Sequence, residues 1–182
     1  MFRPVITNVV LLTALSVSLW AQGTVSDTTH SLTVATNANG KIHVASSASL
    51  TESGVPFGDF SASVSVQYYA RTLTGGQITV QATSDFGACA SPATSPSIAC
   101  NTVQYSCGVA SFGSACTTTV TLSTSSATSV LTLPSNSACV NGGNPCGPAN
   151  PFTVPLNFTL SNDPNYKTGS YSATLQYTLS AT

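Results

Sequence analysis

The chain has 182 residues, of which 42% are hydrophobic and only 5% charged, and its formal net charge is −1. Soluble domains ordinarily carry about 25% charged residues, so serine and threonine must supply much of the solvated surface here. Nucleic-acid binding draws on clustered Lys and Arg to displace counterions; beyond residue 22 the only bases are the scattered Lys41, Arg71 and Lys167, which excludes that class.

The chain opens on Met1-Phe2-Arg3-Pro4, continues through an apolar stretch from Val9 to Trp20, and then presents Ala21-Gln22-Gly23. A positive start, a short apolar core and small residues at a cut make up a secretory signal. Residues 1–22 are therefore expected to form a signal helix removed on export, leaving 23–182 as one secreted, periplasmic or cell-surface domain with no membrane span. The apolar run is shorter than the ~20 residues of a spanning helix.

Thr and Val favour pleated, half-buried surfaces, and Ser and Thr are mediocre helix formers, so an all-β fold is expected. Leu32 and Val34 alternate with polar residues, Asn37-Ala38-Asn39-Gly40 supplies turn residues, and Ile42 and Val44 resume the alternation, which reads as a hairpin. His43 falls on the polar face of that hairpin, and with His30 it completes the histidines. Ala62, Val64, Val66 and Tyr68 mark a strong strand, answered after Leu73-Thr74-Gly75-Gly76 by Ile78, Val80 and Ala82; the two are expected to pair as a central hairpin. Tyr69 breaks the alternation, which calls for a bulge or an outward-facing ring.

Residues 85–116 and 134–151 are rich in Gly, Ala, Ser and Pro and read as loop insertions. Strand signals return at Thr118–Leu122 and Ser129–Leu133, and then at Phe152, Val154, Leu156, Phe158 and Leu160. Pro155 has no N–H for a ladder, which predicts an edge strand or a bulge there. From Gly169 to Thr182 the chain alternates again, with Tyr171, Ala173, Leu175, Tyr177, Leu179 and Ala181 on one face. Seven to nine such strands fit an antiparallel two-sheet β-sandwich of immunoglobulin-like type.

All six cysteines lie between residues 89 and 146. In an exported chain an even count reads as disulfides. Cys139 and Cys146 flank a flexible Gly-Gly turn and are expected to pair; nearest-neighbour pairing would join Cys89 to Cys100 and Cys107 to Cys116. Zinc would want closely spaced cysteine pairs, and no two cysteines here are nearer than seven positions. No metal or other cofactor is expected.

The terminal run Gly169, Tyr171, Ala173, Leu175, Tyr177 and Leu179 resembles the C-terminal strand of chaperone-usher pilus subunits, including the spore coat U type, and Phe57-Gly58-Asp59-Phe60 is similar in flavour to the latter. The resemblance implies a pilus, fibre or coat subunit whose terminal strand is held first by a periplasmic chaperone and then by a neighbour's N-terminal strand. The donor would come from residues 22–36, where Val25, Leu32 and Val34 are the apolar candidates. A self-complete secreted module is the alternative, binding carbohydrate or a cell-surface ligand through Tyr105, Phe112 and the braced loops. No nucleophile, zincin or phosphate-loop motif occurs; Glu52 with Asp59 or Asp85 could in principle serve glycoside hydrolysis, but the expectation is a non-enzyme. A crosslink of Lys41 or Lys167 with Glu52 and a glycan on Asn157-Phe158-Thr159 are lesser readings of the same surface.

Overall fold

A computed structural model describes residues 38–44, 47–52, 57–100 and 102–182. The expected signal segment, His30 and the first arm of the expected hairpin lie outside these. The described strands are β1 (Asn39–Val44), β2 (Thr51–Glu52), β3 (Phe60–Arg71), β4 (Gly76–Ala82), β5 (Val103–Cys107), β6 (Ser114–Ala115), β7 (Val120–Thr121), β8 (Thr128–Leu133), β9 (Val140–Asn141), β10 (Asn144–Pro145), β11 (Phe152–Leu160) and β12 (Leu175–Ala181). A single 3-10 turn, Ile98–Cys100, is the one helical element among the described residues. No helix there is long and apolar enough to cross a membrane.

Every strand pairing is antiparallel. One sheet runs β1-β3-β11-β5-β7, with β2 also on β3; the other runs β12-β4-β8-β6, and β9 and β10 form a separate small hairpin. The inward residues of both sheets share one core, in the manner of a β-sandwich. Val66 and Tyr68 of β3, Ile78 and Val80 of β4, Tyr105 of β5 and Val154 and Leu156 of β11 are wholly buried. On β8 the register slips between Ile78 and Thr79 of its partner. Val130 is the extra residue, and the bulge turns both Val130 and Leu131 into the core.

Several expectations are corrected. β3 and β4 are not a hairpin but lie in opposite sheets, because residues 72–75 carry the chain across the core. Thr72 is bridged to Ser137 there, and Gly75 has a φ of 116°. A side chain on Gly76 would stand 2.3 Å from the Ser180 carbonyl oxygen, so only glycine lets β4 start this close to β12. Asn39 and Gly40 are the first residues of β1 rather than part of a turn. Of the two readings of Tyr69 the outward-facing ring is the one found, opposite Lys41 and with no bulge.

β11 is a central strand, paired with β3 and β5, not an edge. Pro155 is tolerated because the β5 ladder stops at Cys107, opposite Leu156, and the Pro155 carbonyl takes the Gly108 N–H at 2.8 Å. Its ring fills the space a Gly108 side chain would need, 2.5 Å away. The stretch 85–116, expected as loop, contributes the core strand β5, and Thr118–Leu122 shrinks to the two residues of β7.

The cysteines pair as Cys89–Cys100, Cys107–Cys116 and Cys139–Cys146, with Cα–Cα distances of 5.3, 5.3 and 5.1 Å. Cys107 ends β5 in one sheet and Cys116 follows β6 in the other, so the second bond staples the two sheets together. Three disulfides suit an oxidising compartment.

Candidate functional site

The terminal strand is shorter than its sequence pattern. Regular pairing with β4 covers Leu175–Ala181 only. β4 ends at Ala82, and beyond it the Thr83 and Ser84 N–H groups both turn onto the Thr174 carbonyl, so residues 169–173 have no ladder to join. The alternation nevertheless persists: Tyr171, Ala173, Leu175, Tyr177, Leu179 and Ala181 are half-buried, and the residues between them are exposed. Among the described residues no strand pairs with the other edge of β12.

That edge faces β1 across the sandwich, and the seam between them differs along its length. Near Thr182 it is closed. Gly40 lies so near β12 that a side chain there would meet Leu179 Cδ2 at 2.7 Å. Toward Leu175 it opens into a groove of about 1050 Å³. One wall is β12 and the residues before it, from Gly169 to Tyr177; the opposite wall is Val44, Leu50 and the first half of β3, namely Phe60, Ala62 and Val64. Ile98, Val103, Leu122, Phe158 and Leu160 form an apolar floor, and Asn162, Asp163, Tyr166 and Lys167 rim the mouth.

Burial pushes the Tyr177 phenol up to about 12, with a smaller contribution from the neighbouring Tyr105 hydroxyl. Tyr177 is thus a neutral, largely apolar part of the wall across the physiological range. The wall before β12 is held by few hydrogen bonds, among them the Tyr171 hydroxyl to the Lys167 carbonyl at 2.6 Å and the Lys167 N–H to the Thr94 carbonyl at 2.9 Å.

The floor at the far end hangs on Asp85. Its carboxylate takes hydrogen bonds from the Phe86, Ile98 and Ala99 N–H groups and from the Ser97 hydroxyl, at 2.6 to 2.9 Å. Burial raises the Asp85 pKa, but those four donors together hold it below the ordinary carboxylate value. The Cys89–Cys100 bond closes the same loop.

Other residues singled out in the sequence are placed as follows. Tyr105 is fully buried, its hydroxyl donating to Thr128 Oγ1 and the Ser129 carbonyl at 2.9 Å, so it belongs to the core and not to a contact surface. Phe112 is half-buried and stacks on Phe152 at 4.6 Å, which makes it a lid on the core. Glu52 and Asp59 both bind Asn162, through its side-chain amide at 3.1 Å and its N–H at 3.3 Å, and so tie the loop after β11 to β2 and β3. Asp85 is occupied by its own loop, whereas Glu52 and Asp59 meet at Asn162. Lys41 and His43 project from the exposed side of β1, and Asn157 accepts the Ser63 hydroxyl at 2.6 Å on the outer face. Among the described residues no three His, Cys, Asp or Glu side chains cluster to hold a metal ion.

Sequence reasoning found the terminal wall of the groove and the strand residues of its floor, and missed the rest of that floor. Phe86, Ile98 and Val103 come from the stretch 85–116 read as loop, and only tertiary packing brings them together. A second cavity, of about 450 Å³, lies on the outer side of β3 and is lined mainly by the hydroxyls of Ser47, Ser49, Thr51, Ser61, Ser63 and Ser65. No protein-family model, curated protein or solved structure matches the chain.

Proposed function

We propose that the protein is an exported structural subunit whose sandwich is completed by an extended strand from another copy, as in pilus, fibre or coat assemblies. In this reading the fold is of immunoglobulin type, with β1-β3-β11-β5 facing β12-β4-β8, and the place beside β12 is where a further strand goes. The observation that carries the reading is the seam beside β12: a strand edge with no partner among the described residues, next to an apolar groove. Strand addition draws affinity from main-chain hydrogen bonds along such an edge and specificity from pockets for alternate side chains.

The donor comes from the segment 22–36, in which Leu32 and Val34, two positions apart, would project to one side of an extended chain. An uncovered apolar groove and free strand edge are aggregation hazards, so a holding chaperone before assembly belongs to the same reading. The test uses the full exported chain carrying Leu32→Asp and Val34→Asp. It should remain monomeric by light scattering where the parent chain associates, and it should bind a synthetic peptide of residues 24–36. Unimpaired association of this variant would refute strand complementation through this segment.

A further inference from the structure

The two ends of the sandwich expose different side chains. Leu73 is 61% exposed two residues beyond Arg71, the partner of Asn39, and Val140 is 48% exposed three residues beyond Ser137, which bridges to Thr72. Both therefore lie at the end from which the chain leaves β1 toward its N-terminus. Phe57 is 60% exposed and lines the groove at the opposite end.

Resting on the strand-complementation reading, we propose that the end carrying Leu73 and Val140 seats against the groove mouth of the next copy, so that each junction is an inserted strand plus an apolar end-to-end contact. The closed seam at Gly40 and Leu179 means that an inserted strand leaves the groove only at the Leu175 end. Running antiparallel to β12, its C-terminal side leaves there and continues to Asn39 of its own sandwich. Four residues lie between Val34 and Asn39, and even fully extended the five steps reach roughly 18 Å. The short linker holds the donor's Leu73 end near the acceptor's mouth, where the exposed Phe57 ring is the apolar side chain that Leu73 and Val140 would meet.

The two aliphatic residues are also rigidly presented. The Leu73 N–H donates to the Thr182 carbonyl at 2.8 Å and its carbonyl accepts the Asn136 N–H at 2.9 Å, while Val140 follows Cys139 of the Cys139–Cys146 bond. A surface already fixed loses little freedom on docking.

The test compares full chains carrying Leu73→Glu with Val140→Glu, or Val109→Glu alone, by sedimentation. Val109 is 93% exposed but sits beside β11, where the preceding Gly108 bonds Pro155, and serves as the control. The double variant should associate at least ten-fold more weakly, with Val109→Glu like the parent. Adding the two glutamates to the Leu32→Asp, Val34→Asp chain should leave its affinity for the 24–36 peptide within two-fold. Parent-like association of the double variant, with peptide binding intact, overturns the end-to-end contact alone. Failure of the peptide to bind the Leu32→Asp, Val34→Asp chain removes strand complementation, and this inference with it.

Discussion

β11 and β12 carry the same message in sequence and meet different fates in space. Each alternates apolar and polar residues over its whole length, yet the inward residues of β11 are at most 6% exposed while those of β12 are all only half-buried. β11 is flanked by β3 and β5; among the described residues β12 pairs with β4 alone. A strand's pattern states which face is apolar, but its neighbours decide how far that face is withdrawn from water.

The strongest test of that contrast is a pair of truncations. Leu156→Ala in β11 empties a wholly buried site and should cost about 2–5 kcal/mol in denaturant unfolding. Leu175→Ala in β12 removes a side chain already half in water and should cost about 1 kcal/mol or less. Equal losses would erase the distinction between the two strands.

A second measure probes the groove floor instead of its wall. Asp85→Ala leaves the Phe86, Ile98 and Ala99 N–H groups without their acceptor and should cost about 1–3 kcal/mol. Because the folded-state pKa of Asp85 is depressed, its contribution is present above the ordinary carboxylate pKa and is lost as pH falls through the lowered value. The acid limb of the stability curve should flatten in the variant.

The smallest effect is spectroscopic. Tyr68 and Tyr177 are both pushed up to about 12 by burial, Tyr68 despite its hydrogen bond to the Phe112 carbonyl. For such phenols the stabilisation is complete below their ordinary value near 10 and is lost as pH rises toward 12. Addition of the 24–36 peptide to the Leu32→Asp, Val34→Asp chain should move the ultraviolet titration of Tyr177 further upward and leave Tyr68 in place. Tyr177→Phe identifies which transition belongs to which ring.

Much of this was legible in the residues. Alternation located β3, β4, β8, β11 and the apolar face of the terminal strand, and nearest-neighbour spacing fits the disulfides. It could not say that β3 and β4 part company, since the same apolar face suits either sheet and only the clamp at Thr72 and Ser137 sends the chain across. β5 was hidden by its surroundings: Val103, Tyr105 and Cys107 alternate, but the glycine, proline and cysteine around them carried the signal of a loop. Pro155 misled because a missing N–H is harmless wherever the neighbouring ladder has already stopped. The extent of the groove could not be read from alternation, for it is made by the place where pairing ends.

The contact of Gly40 with Leu179 does more than close one stretch of seam. Under strand complementation it would form a blind terminus, so that a guest strand would halt at the same depth in every copy. The fold would then act as its own ruler, and a filament built from it would inherit a constant axial repeat without an external template.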